Sequence, residues 1–243
     1  QQLNRIKPYF PVSHGVPRVD DLRVISGIIY VIRYGLQWKD APKGYGPYKT
    51  LYNRFVRWSR AGIFDTIFRE LSRLPGSADG LMIDATHLKA IEPLPAYSKG
   101  AFPRCIGRTK GGLNSKLHAV CDGTGKPVCR FLSEGQMSDY MGARCLLPAL
   151  PNASKLIADR GYDADWFIAA LKKKGITPCI PPRKNRINRR RYSKQLYKQR
   201  HKIEIMFGRI KDWPRIAMRY DRCAHTFFSA ICIAATVIFY LKE

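Results

Sequence analysis

The sequence predicts an α/β protein, a mixed sheet flanked by helices over residues 77–243, behind a small all-α domain of helix-turn-helix type over residues 1–76. Three observations predict it. Up to residue 74 the apolar residues recur at helical spacing. A run of Pro75, Gly76, Ser77, Ala78, Asp79 and Gly80 then punctuates the chain. From Leu81 the pattern becomes strand, two hairpin strands, helix, strand, helix, strand, helix. Antiparallel strands followed by βαβ crossovers give a mixed sheet with helices outside it.

Each element has its own signal. Residues 1–17 hold three prolines and read as an extended arm. Asp20 and Asp21 open a helix-periodic run through Val24, Ile25, Ile28 and Ile32 that ends near Gly35. Trp38 to Gly46 reads as a turn. Tyr48 to Arg60 makes a second helix, with Leu51, Phe55 and Trp58 inward and Lys49, Asn53, Arg54 and Arg57 on its other face. Ile63 to Leu74 makes a third, and three short helices with a cationic second one suggest a DNA-binding unit.

Leu81 to Thr86 is a short apolar strand with Asp84 inside it. Residues 92–115 read as a long loop with Arg104, Arg108 and Lys110. Its Gly107–Lys116 run lacks the Gly-Lys-Ser/Thr ending of a phosphate loop, so no nucleotide site is assigned there. Lys116–Asp122 and Pro127–Leu132 flank Gly123-Thr124-Gly125, a hairpin signal. Ser138 or Asp139 can cap a helix through Leu150, and Asp163 one through Lys174. Lys155–Asp159 and Ile176–Ile180 are strands. Residues 224–241 are long and apolar enough to raise a membrane question, but the polar residues His225, Thr226, Ser229 and Thr236 favour a buried core helix and no membrane partner.

Composition limits the function. Lys and Arg number 43 against 18 Asp and Glu, a formal charge of +25. Folding does not need that excess and self-repulsion opposes it. A polyanion is the natural partner, and nucleic acid is the foremost one. The cysteines are odd in number and lack CxxC spacing, which suggests neither a disulfide framework nor a structural zinc set and fits core thiols in a reducing compartment. The polar, basic opening is not read as a targeting segment.

The densest chemistry lies between Arg183 and Lys211. Arg183–Tyr197 carries seven cations, including Arg189, Arg190 and Arg191, and no acid. Glu204 then stands alone among cations. On one α-helix Tyr197, Arg200, Glu204 and Lys211 fall within an arc of about 60°, beside an apolar stripe of Leu196, Ile203, Phe207 and Ile210. Taken alone, that face is equally a solvated helix surface with Glu204 paired to Arg200. Asp84 inside one strand and Asp159 ending another are harder to dismiss, because a carboxylate in an apolar strand is costly unless paired or metal-bound. Crossover geometry can bring Asp84, Asp159 and Glu204 to one end of the sheet. Hard oxygen donors in that number suit Mg²⁺ or Mn²⁺, and two such ions can drive phosphodiester displacement.

These residues resemble a known family. The spacing of Tyr197, Arg200, Glu204 and Lys211 matches without gaps the signature around the catalytic glutamate of bacterial DDE insertion-sequence transposases. Ile83–Lys89 and Ala158–Asp163 resemble the surroundings of that family's two aspartates. Trp213–Asp221 and the stretch from Gly35 through Trp38 to Gly46 are similar too. The likeness is to the fifth-numbered insertion-sequence family, its short members above all, and it departs at Ile91, where many relatives carry His. It implies a ribonuclease-H-like catalytic domain with Asp84, Asp159 and Glu204 as catalytic metal ligands and two Mg²⁺ or Mn²⁺ ions. It also implies transposon-end and target DNA as substrates and a homo-oligomer on DNA, in the bacterial cytoplasm at the nucleoid. Arg200, Lys211 and Tyr197 would face phosphates near the scissile bond. A non-catalytic DNA-binding descendant and a nuclease of the same fold are the alternatives.

Overall fold

The computed structural model describes residues 2–11, 20–73, 76–91, 104–187 and 189–241. Two 3-10 turns, Gln2–Arg5 and Lys7–Tyr9, precede α1 (Asp21–Tyr34), α2 (Tyr48–Arg60) and α3 (Ile63–Leu71). Strand β1 (Leu81–Ala90) follows, then β2 (Gly107–Thr109), β3 (Gly112–Asp122) and β4 (Pro127–Glu134). Next come α4 (Asp139–Leu146), β5 (Lys155–Ile157), α5 (Asp165–Lys173) and β6 (Thr177–Cys179). The chain continues through α6 (Lys194–Tyr197), a 3-10 turn Lys198–Arg200, α7 (His201–Lys211), α8 (Pro214–Ala217), β7 (Met218–Arg219) and α9 (Ala224–Thr236).

The two compact units are not consecutive stretches. One comprises Gln1–Leu71, Lys89–Arg104 and Arg209–Glu243; the other comprises Ser72–Leu88 and Cys105–Gly208. In the first, α9 packs against α1, α2 and α3. Its residues are buried on nearly every side, so the apolar run is a core helix of this unit. An all-round apolar helix needs cover from several neighbours, and α1–α3, in which Ile28, Ile32, Leu51, Phe55, Trp58, Ile67 and Phe68 are buried, supply it. That explains why the end of the chain belongs with its beginning.

Local rules set the ends of these helices. The Asp20 side chain accepts from Leu22 N at 3.0 Å, and Gly35 ends α1 with φ 68°, a left-handed conformation suited to glycine. The opening residues are less extended than expected. Phe10 is buried with its ring 4.5 Å from Trp58, which ties the 3-10 turns to this unit. Residues 12–17 of the expected arm, Leu74, Pro75 and residues 92–103 of the expected loop lie outside the described residues. The rest of that loop is partly strand: β2 pairs with the start of β3, Arg108 opposite Leu113.

In the second unit the strand order is β2-β3-β1-β5-β6, with β4 on β3. The β3/β4 pair is antiparallel, and its turn is held by Asp122, whose carboxylate accepts from the amides of Thr124 and Lys126. β1 with β5 and β5 with β6 are parallel, as the crossovers require. α4 and α5 pack over a core of Leu81, Ile83, Val120, Leu146, Leu156, Tyr162, Phe167 and Leu171. Among the cysteines Cys121, Cys179 and Cys232 are buried but Cys145 and Cys223 are exposed, so the expectation of core thiols holds for only some of them.

Candidate active site

The parallel register of β1 and β5 builds the site. Met82 is opposite Ile157; Asp84 lies two residues further along β1, and Asp159 two residues beyond the end of β5. Period-two alternation puts Asp84 on the same face as Met82, and the parallel register brings Asp159 past the end of the neighbouring strand. Asp84 Oδ1 accepts from Ala85 N at 2.9 Å. Asp159 turns its carboxylate back on the chain, accepting from Gly161 N at 2.7 Å and capping the 3-10 turn Arg160–Tyr162.

The third acid reaches this place through a cation. Arg200 donates from Nη2 to Asp84 Oδ2 and from Nη1 to Glu204 Oε1, both at 2.5 Å. The Asp84 and Arg200 side chains are largely buried, whereas that of Glu204 is 55% exposed. Helix formation is interrupted where Arg200 lies: α6, a 3-10 turn and α7 replace the single expected helix. Ile203, Met206 and Phe207 still anchor α7 by burial.

Burial is the main influence on Asp84. It pushes the carboxyl from 3.8 to about 6, against the pull of Arg200 and the Ala85 amide, and Asp159 and Asp139 push the same way. Tyr197, also raised by burial, feels Arg200 and Asp159 and sets its ring 5.7 Å from Tyr192. Lys211 closes α7 in the helical unit, where burial lowers its ammonium.

Among the described residues no three His, Cys, Asp or Glu side chains stand close enough together to share one metal ion. The donors nevertheless fit a hard divalent cation in kind. They are carboxylate oxygens, one of them buried at a raised pKa, and the guanidinium of Arg200 already supplies positive charge between Asp84 and Glu204.

Two sequence expectations need correction. Arg54 is not on the exposed face of α2. It is buried, donates to Asp21 Oδ1 at 2.6 Å and lies over the Trp58 ring, while Lys49, Asn53 and Arg57 are exposed. Asp163 does not cap α5; Ala164 stands at that position. Its buried carboxylate accepts instead from Arg183 N at 2.9 Å and Arg186 Nε at 2.8 Å. Burial opposes ionisation there, but these bonds outweigh it and hold the carboxyl low. Arg190 joins the same cluster, pairing with Asp163 at 3.5 Å and with Asp165. Arg189 and Arg191 are exposed, and Arg189 donates to the Lys184 carbonyl at 3.2 Å.

Sequence reasoning also gave Asp139 and Lys116 no role in the site. Lys116 Nζ pairs with Asp139 Oδ1 at 2.7 Å, and the charge of Asp139 acts on Asp84. The signal for this pair was a lysine in the middle of a buried strand.

Known proteins resemble this chain along much of its length. The model described as "Putative transposase of IS4/5 family" matches residues 1–68, and the one described as "Transposase DDE domain" matches residues 156–241. The chain is 33% identical over 129 residues to the transposase assigned to insertion element IS6501 of Brucella ovis, covering 52% of this chain and 98% of that protein. It is 29% identical over 137 residues to the transposase assigned to IS402 of Burkholderia cepacia, covering 49% of this chain and 63% of the other. Its fold is like that of the piggyBac transposase in a synaptic complex with hairpin DNA, with TM-score 0.56 at 10% identity over 99% of this chain and 70% of that one. The fold is the ribonuclease-H-like one, and the chain belongs to the insertion-sequence transposases.

Proposed function

We infer that this transposase cuts the ends of its own element and joins the freed 3′-hydroxyl to target DNA, with Asp84, Asp159 and Glu204 as the residues that hold two Mg²⁺ or Mn²⁺ ions. The observation that carries the reading is the placement of one carboxylate on β1 and another just past the end of its parallel neighbour β5, with Arg200 tying Asp84 to Glu204. Bound there, divalent ions would activate the attacking oxygen and stabilise the leaving one.

The chain's own residues do the rest. Burial of Asp84 makes its charge depend on a nearby cation, so Arg200 favours its ionised form until that role is taken over. Released from Asp84, the same guanidinium is a fork for a DNA phosphate. Tyr197 and Lys211 act on the same strand, Tyr197 by stacking or a hydrogen bond and Lys211 as a phosphate contact.

DNA is held by other surfaces. Arg189 and Arg191 contact the backbone and position the duplex. The helices within residues 1–76 read the transposon end, with Lys49, Asn53 and Arg57 able to reach base edges. The protein acts as a multimer at the bacterial nucleoid.

The test uses the full chain and DNA carrying the flanks of its own gene. Gel shift in Ca²⁺ reports binding, and single-turnover cleavage in Mg²⁺ or Mn²⁺ reports chemistry. Specific nicks followed by joined products support the reading. Binding without cleavage would leave a DNA-binding descendant, and cleavage without joining a nuclease.

A further inference from the structure

A further carboxylate stands near Asp159, and its charge reaches Asp84. Asp139 begins α4, and its Oδ2 lies 3.3 Å from the point where a Cβ on Gly161 would sit. Asp159 Oδ1 lies 2.9 Å from that same point, so the two carboxylates flank one glycine. Asp139 is restrained from the other side. Lys116, a mostly buried residue of β3, bonds its Oδ1 at 2.7 Å and also donates to the Met137 carbonyl at 3.0 Å. Two residues along β3, on the same face, His118 packs its Nδ1 against Gly142, 2.0 Å from where a Cβ would be. Only glycine allows α4 to rest there, so β3 fixes both turns of α4 that matter.

A second observation points to a ligand among these acids. Tyr162 is fully buried, and its hydroxyl has no hydrogen-bond partner among the described residues. Burial first, then the charges of Asp139, Asp84 and Asp159, raises its phenol far above the ordinary range. A buried donor in the field of three carboxylates is suited to a bound species that is not protein.

We propose that Lys116 and Asp139 are a charge-balanced positioning pair of the carboxylate centre, in which Asp139 braces the Asp159 turn and Lys116 cancels the extra negative charge that Asp139 brings to the cation position. The proposal rests on the reading of Asp84 and Asp159 as ion-holding residues. Lys116 or Asp139 alone would shift the local potential by one unit charge; together they leave it near zero. That makes opposite changes from opposite halves of one ion pair.

The experiment is a Mn²⁺ titration of the full-length chain without DNA, with free Mn²⁺ followed by electron paramagnetic resonance and folding checked by circular dichroism. Lys116→Met should bind Mn²⁺ about five- to tenfold more tightly and Asp139→Asn about five- to tenfold more weakly. The double variant should return to within about twofold of the parent, and Lys116→Arg should stay there. A pair that matters only for folding would weaken binding in both single variants and again in the double, and that result overturns the proposal. If Lys116→Met does not fold, unchanged Mn²⁺ affinity in Asp139→Asn overturns it by itself. Asp84→Asn separates the two levels. Its loss of Mn²⁺ binding beside same-sign or absent shifts sinks the pair alone; Mn²⁺ binding unaltered by Asp84→Asn sinks the ion-holding reading and the pair with it.

Discussion

Asp84→Asn should alter the pH dependence of stability in a way that only a buried, ionised carboxylate can explain. The group rises from its ordinary 3.8 to about 6 in the folded chain, chiefly because burial penalises its charge. At 1.36 kcal/mol per pH unit this corresponds to about 3 kcal/mol. The sign follows from the order of proton release. Between the two values the unfolded chain has lost the proton while the folded chain keeps it, so stability is full below pH 3.8 and falls until pH passes about 6. About 2 of the 3 kcal/mol are lost between pH 4.5 and 7.5. Asparagine has no such loss. It also gives up the ion pair to Arg200, but that cost shifts the level of the curve and hardly its slope across the same interval. The assay is urea unfolding in EDTA at four pH values from 4.5 to 7.5. The difference in unfolding free energy, variant minus parent, should climb by about 2 kcal/mol across the series. Adding Mn²⁺ at pH 7.5 should stabilise the parent, by about 2.7 kcal/mol at a hundred times the dissociation constant, and leave the variant unmoved. A difference that stays flat with pH would refute the argument, since Asp84 would then be solvated or neutral throughout.

Further outcomes are expected at other positions. Glu204→Gln removes an exposed partner of Arg200, so it should cost at most about 1 kcal/mol of stability. It should keep end-DNA binding in Ca²⁺ and slow single-turnover cleavage more than about a thousandfold. Arg189→Gln with Arg191→Gln should lower the slope of log K against log salt by up to about 0.9 per lost phosphate contact, for all DNA sequences alike. Arg190→Gln should instead act on stability, because its partners are Asp163 and Asp165. Arg54→Met removes the buried ion pair to Asp21 and should destabilise the chain by about 3 kcal/mol in urea melts. The end preference of the molecules that remain folded should be unaltered. Preference should be lost, with the melt unchanged, when Lys49, Asn53 and Arg57 become alanine together, and footprinting on specific and scrambled DNA reads this.

Local pattern made much of the architecture readable. Leu51, Phe55 and Trp58 at helical spacing mark the buried face of α2, and Gly123-Thr124-Gly125 between two apolar runs marks the β3/β4 turn. The errors occur where a partner is distant in the chain. Arg54 lies on the border of the α2 stripe, one turn before Trp58, and nothing near it says that Asp21, 33 residues earlier, will draw it inward. Asp163 sits where a helix cap is expected, and the three arginines that claim it come twenty or more residues later. Likewise the joining of α9 to α1–α3 follows from the need to cover an apolar cylinder, a need that a linear reading registers without naming the neighbours.

The site divides in the same way. Asp84 and Asp159 stand out in the sequence because an acid within or ending an apolar run is costly unless it is paired or holds a cation. Asp139 escaped because it has one: an acid in the first turn of a helix suits the helix dipole and calls for nothing more. Lys116 held the missing information. β3 is buried along eight consecutive residues from Asn114 to Cys121, so both its faces are covered, and a lysine there must bring a carboxylate or a carbonyl with it. Lys116 has both, Asp139 and Met137. A cation in a strand buried on both faces therefore points to a partner as firmly as a lone acid does. Following it from β3 leads to the carboxylate that faces Asp159 across Gly161.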